Sequence, residues 1–133
     1  MEIRVTDLMV GDWLMFNDKP CQVKGLHNDD TATFVGYRSA YYLIDAEPIH
    51  LTPKILEKNG FIEEQKRVRF VVSQKEYQLT YSFNSNWFSI YKNANVSGSD
   101  YPIFICAFQE RIKYVHELQH ALRLCKIEKE IVV

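Results

Sequence analysis

The segment His116-Glu117-Leu118-Gln119-His120 satisfies H-E-x-x-H within a stretch of helical periodicity. On a helix this spacing sets two imidazoles on one face, where they can hold Zn²⁺ while the Glu acts as general base. His116 and His120 are thus the candidate metal ligands, and a metal-dependent hydrolase is one function to weigh. Helical geometry argues against it. At roughly 100° per residue, Val115, Leu118, Leu122 and Cys125 gather into one apolar stripe, and the two His fall almost opposite, away from the protein body. The third ligand is a further difficulty, because the carboxylates after His120, Glu128 and Glu130, come too soon and too late in the chain. Only a second structural layer or a partner covering that side would restore the metal site; otherwise the pair reads as exposed imidazoles that take up Ni²⁺ or Zn²⁺ adventitiously. No metal and no cofactor is assigned.

Other chemistry is weaker. The chain has no G-x-S-x-G, P-loop or G-x-G-x-x-G pattern. Cys125 lies on the apolar stripe, where a thiol is inert filling rather than a nucleophile for His120. His27 and His50 have no evident partners. The one basic cluster is Lys66-Arg67-Val68-Arg69. With Tyr77, Tyr81 and Phe83 on a neighbouring strand face and Trp87, Phe88 and Tyr91 nearby, Lys66, Arg67 and Arg69 are candidates for binding nucleic acid. Core is the better reading of those aromatics, since a small domain needs large side chains to bury enough area. No catalytic residue is assigned.

The elements that must carry these residues divide in two. Residues 1–50 hold Trp13–Phe16, Cys21–Leu26, Thr31–Val35 and Tyr41–Ile44 as short β-rich stretches, separated by the turns Asn17-Asp18-Lys19-Pro20 and His27-Asn28-Asp29-Asp30. Such spacing predicts a small barrel or strongly bent sheet. Its opening, Leu8-Met9-Val10-Gly11-Asp12-Trp13, is of the kind that starts an SH3-like barrel, with Gly11 at positive φ and Asp12 bonding back onto the turn. Residues 51–133 start with a short connecting helix, in which Thr52 is the N-cap, Pro53 the first residue and Gly60 the left-handed stop. From Val68 to Phe108 the chain reads as three or four antiparallel strands. Tyr77, Leu79, Tyr81 and Phe83 fall on one face, and Asn93 to Asp100 forms a polar loop. A helix over about Lys113–Lys126 closes the chain. The expected class is α+β: an N-terminal SH3-like barrel, a connecting helix, and an antiparallel sheet with the C-terminal helix packed on it.

Composition bounds the rest. A length of 133 residues with 47% apolar side chains suits one core. The net charge of −1 gives no general pull towards nucleic acid or anionic lipid. It conceals an uneven split: residues 1–50 carry four basic and eight acidic side chains, and the remainder twelve and nine. Anion binding, if any, belongs to the second part. No basic stretch followed by an apolar run opens the chain, no apolar run approaches the roughly 20 residues a membrane span needs, and Cys21, Cys106 and Cys125 show no pairing pattern. The chain reads as cytoplasmic, away from membranes, with reduced thiols.

Three stretches together resemble a known family. Asp7-Leu8-Met9-Val10-Gly11-Asp12-Trp13, Glu47-Pro48-Ile49-His50-Leu51-Thr52 followed by Ile55-Leu56 and Asn59-Gly60-Phe61, and Ile112-Lys113-Tyr114-Val115-His116-Glu117-Leu118-Gln119 are similar, in order, to short uncharacterised proteins frequent in gut Bacteroidetes and their phages, prophages and mobile elements. The resemblance implies no established activity or substrate. It implies that the positions of Glu117 and His120 need not be Glu and His. It also implies that Tyr114, Val115, His116, Leu118 and Gln119 fix the helix, with His116 and Gln119 bonding backbone. The expectation is a non-enzymatic accessory or interaction protein of a phage or mobile element, with a protein partner or a second copy as its ligand. A metal-dependent hydrolase and a nucleic-acid-binding module are the alternatives.

Overall fold

The computed structural model describes residues 3–66, 68–96, 98–107 and 111–133, with backbone alone over 94–96 and 99–107. Arg67, Ser97 and the side chain of Cys106 lie outside the described residues. The fold is α+β, with two five-stranded antiparallel sheets. The first contains β1 (Trp13–Phe16), β2 (Lys19–His27), β3 (Thr31–Phe34), β4 (Ala40–Tyr42) and β5 (Ala46–Pro48), in the order β4-β3-β2-β1-β5. The β1–β2 turn is tight because Asn17 and Asp18 both take positive φ, 52° and 59°, which these side chains tolerate better than most. β2 pairs with β1 over its first half and with β3 over its second, with a register shift between Val23 and Gly25. A bulge of this kind bends a strand. The sheet is open, with β4 and β5 as its edges. The expected stretch Tyr41–Ile44 splits into β4 and a 3-10 turn, Leu43–Asp45.

Helix α1 (Pro53–Lys58) has the punctuation its sequence dictates. Thr52 Oγ1 accepts the Ile55 N–H at 3.2 Å, Pro53 opens the helix, and Gly60 stands at φ 89° just beyond it. The second sheet is a meander of β6 (Ile62–Gln65), β7 (Arg69–Gln74), β8 (Tyr77–Ser82), β9 (Trp87–Val96) and β10 (Ser99–Ala107). Two readings change here. β6 is a fifth strand whose residues are all exposed, so it shows no apolar alternation. The polar stretch Asn93–Asp100 is the end of a long hairpin rather than a loop, because β9 runs to Val96 and Ser99 pairs with it. Ladder hydrogen bonds are made by the backbone and do not need apolar side chains.

Helix α2 (Val115–Leu124) is shorter at both ends than the periodicity suggested. Val115, Leu118 and Leu122 are buried in one cluster with Phe70, Leu79, Tyr81, Phe88 and Ile90 of the second sheet. The aromatic strand face is therefore core: Tyr81 is fully buried, its ring 4.8 Å from that of Phe83, and its hydroxyl donates to the Ile112 carbonyl. Burial pushes that hydroxyl's proton affinity upward.

β1 joins the two parts through the alternation of strand side chains. Leu14 and Phe16 enter the first sheet's cluster with Val23, Phe34 and Leu43, while Trp13 and Met15 pack against the second. The C-terminal segment closes over the same junction. The Trp13 indole N–H donates to the Ile131 carbonyl at 2.9 Å, and Asn59 grips Val132 by giving its amide N–H to the carbonyl and accepting the backbone N–H, each at 2.8 Å.

Candidate functional site

The polar face of α2 is largely covered rather than open to solvent. It carries His116, Gln119, His120 and Arg123, and the turn before β1 lies against it. His116 is 4% exposed and Gln119 is also buried. The wheel places His116 and His120 opposite the apolar stripe, and the turn before the first sheet supplies the layer that covers them.

Asp12 is the centre of that contact. It is fully buried, and its carboxylate accepts the Met9 N–H at 2.8 Å, His120 Nε2 at 2.5 Å and Arg123 Nη1 at 3.1 Å. The first is the expected bond back onto its own turn. The other two cross 108 and 111 residues of chain. A buried carboxylate is costly unless paired and hydrogen-bonded, and three donors meet that demand. Gln119 adds a neutral pair of bonds, accepting the Trp13 N–H at 3.0 Å and donating to the Gly11 carbonyl at 2.9 Å. Gly11 itself, at φ 98°, lies so close to Arg123 that an added Cβ would stand 2.7 Å from Nη2.

Each polar member of the H-E-x-x-H segment is thereby accounted for separately. Glu117 Oε1 accepts the backbone N–H groups of Lys113 at 2.9 Å and Tyr114 at 3.0 Å, so it caps the helix start. His120 is held by Asp12. His116 packs against Tyr114, ring centroids 5.9 Å apart and nearly parallel, and its Nδ1 has no hydrogen-bond partner. Burial lowers the proton affinity of His116, outweighing the attraction of Asp12, Glu117 and Asp7. The rings of His116 and His120 stand 5.7 Å apart. Among the described residues, no group of three or more His, Cys, Asp or Glu is placed to hold a metal ion.

The other candidates lie apart. Lys66 is exposed in the β6–β7 turn at φ 27°, Arg67 is outside the described residues, and Arg69 pairs with Glu64 at 3.2 Å. Of the sheet aromatics, Tyr81 belongs to the core cluster, and Tyr77 and Phe83 pack against it partly buried. His27 Nε2 meets Thr33 Oγ1 at 3.0 Å, and the His50 ring lies 4.8 Å from that of Tyr114. Cys21 is buried, and Cys125 caps the end of α2.

Sequence reasoning missed the ion pair of Asp12 with Arg123 and the bond to His120. The signal was a helix whose polar face carries His116, Gln119, His120 and Arg123 at i, i+3, i+4 and i+7. Two cavities flank the junction. One, of about 640 Å³, is bounded by Trp13, Arg123 and the C-terminal segment. The other, of about 530 Å³, lies between the turn Thr6–Met9 and α2, with His116 and His120 in its wall. No described helix is long and apolar enough to cross a membrane. Set against protein-family models, curated proteins and solved structures, the chain matches none.

Proposed function

We propose that the chain is a non-enzymatic accessory or interaction protein of a phage or other mobile element, acting in the cytoplasm. One observation carries the non-enzymatic part: in the only segment with a catalytic spacing, Glu117 caps the helix and His120 pairs with buried Asp12. A general base must have its carboxylate free to reach a water or substrate proton, and the Glu117 oxygen that caps α2 accepts two backbone N–H groups.

We further propose that residues 1–50 form an SH3-like module. Supporting this are the meander β1 to β4, the 3-10 turn between β4 and β5, the return of β5 to pair with β1, and the bend in β2. Interaction through this half is supported by Val10, Tyr42 and Ile44, each more than half exposed. Isolated exposed apolar side chains are ordinary, but several on one small module suit a protein contact.

The test uses protein purified without a His-tag. Elemental analysis should give well under one zinc per chain, and Glu117→Gln should leave any peptide hydrolysis in the preparation unchanged. A stoichiometric metal, together with hydrolysis lost in Glu117→Gln, would restore the hydrolase. Binding of single-stranded nucleic acid at low salt that weakens on Lys66→Ala would favour the third reading instead.

A further inference from the structure

The cavity bounded by Trp13, Arg123 and the C-terminal segment, about 640 Å³, has the volume of a small-molecule site. Its wall is mixed. The Trp13 indole, fixed by its bond to the Ile131 carbonyl at 2.9 Å, lines it together with Ile127 and Ile131. Beside this apolar portion stand three cationic side chains, Arg123, Lys126 and Lys129. Gly11 has no Cβ to stand 2.7 Å from Arg123 Nη2, so the guanidinium can lie across it at the cavity edge.

The charges in this wall do not balance. Arg123 is answered by Asp12, which takes Nη1 at 3.1 Å. Lys126 and Lys129 have no ion-pair partner among the described residues. Two carboxylates, Glu128 and Glu130, border the same cavity. Burial alternates along their segment, however: Ile127, Lys129 and Ile131 are covered wholly or in part, while Glu128 and Glu130 are exposed. The Glu128 carboxylate reaches the Lys75 ammonium at 3.3 Å, outside the wall. Lys129 is thus drawn inward without a counter-charge, and burial lowers its proton affinity with no carboxylate to raise it again. A long cationic side chain ordinarily keeps its head in water. Two such heads beside an apolar wall, neither matched, make a place for an anion.

We propose that this cavity binds a small phosphate monoester carried on a flat apolar ring, the phosphate facing Lys126, Lys129 and Arg123 Nη2 while the ring lies against Trp13 and Ile131. Two unmatched ammonium groups suit a doubly charged head better than a single carboxylate. The inference is independent of the non-enzymatic reading above.

The experiment titrates the whole protein with phenyl phosphate, phenol, inorganic phosphate and benzylamine at about pH 7.5, where a phosphate monoester is doubly charged. Binding is read from the NMR signal of the Trp13 indole N–H, told apart from that of Trp87 by Trp87→Phe. The expected result is a saturable shift with phenyl phosphate at millimolar concentration or below, and binding at least about tenfold weaker for the other three. Lys126→Gln and Lys129→Gln, both on side chains outside the core, should each weaken phenyl phosphate about fivefold, and added salt should weaken it further. No saturable shift, equal binding of phenol or benzylamine, or wild-type affinity in both lysine variants overturns the proposal. Inorganic phosphate binding as tightly as phenyl phosphate overturns the role of the ring. A phosphotyrosine peptide that binds more tightly than phenyl phosphate would make the occupant a protein and overturn the small-molecule assignment.

Discussion

Replacing Asp12 by Asn changes one atom and tests whether the junction between the two sheets depends on charge. Asn keeps the shape and can still accept the Met9 N–H, which Asp12 accepts at 2.8 Å. It loses the charge that draws His120 and Arg123 to the same carboxylate. Removing one member of a buried pair costs about 3–5 kcal/mol when the other is left buried. Here the partners' side chains are 29% and 34% exposed, so water recovers part of the loss. About 2–3 kcal/mol is the expected cost, or roughly 6–12 °C in Tm for a chain of this size. Urea unfolding of the wild type, Asp12→Asn, Arg123→Gln and the double variant gives both the loss and the coupling between the two side chains. A loss below about 0.5 kcal/mol, or single effects that simply add, would refute the claim that Asp12 holds α2 to the first sheet.

Three other perturbations reach different parts of the same junction. His116 titrates lower in the folded chain than in the unfolded one, so both states are neutral well above pH 6.5. As pH falls below that, only the unfolded chain gains the proton. Stability should then fall by up to about 1.4 kcal/mol per pH unit until the folded pKa is reached. Denaturant melts between pH 5 and 8 should show a shallower acid loss in His116→Gln than in the wild type. Gly11→Ala places a Cβ at positive φ and against Arg123, and thermal melts should record a loss of about 2 kcal/mol. Asn59→Leu removes the grip on Val132; amide hydrogen exchange of residues 127–133 should accelerate at least tenfold while β7 to β9 remain protected.

Much of the layout was legible because local rules wrote it. Thr52, Pro53 and Gly60 bound α1 by capping and φ alone, Gly11 and Asn17-Asp18 set turns, and the two-residue period from Tyr77 to Phe83 marked a buried face. What could not be read was pairing across long separations. The wheel placed His116 and His120 opposite the apolar stripe, which is right, but exposure followed only if nothing packed there. Whether the Gly11–Trp13 turn would return to cover them depends on how two sheets meet, and no window of sequence contains that. β6 was hidden for a related reason: its fully exposed Ile62–Gln65 is a strand by virtue of its neighbour β7, not its own pattern.

The distances along the chain at the Asp12 junction also order its assembly. Every ladder of the first sheet closes within residues 13–48, so that sheet can pair soon after it is synthesised. Asp12, however, has only its own turn to answer it until His120 and Arg123 arrive more than a hundred residues later. During synthesis the N-terminal half therefore waits with an unmatched carboxylate and the outer face of β1, Trp13 and Met15, uncovered. Docking of α2 answers that carboxylate, and Trp13 and Met15 are covered by the second cluster, so the junction closes only once both sheets have been made.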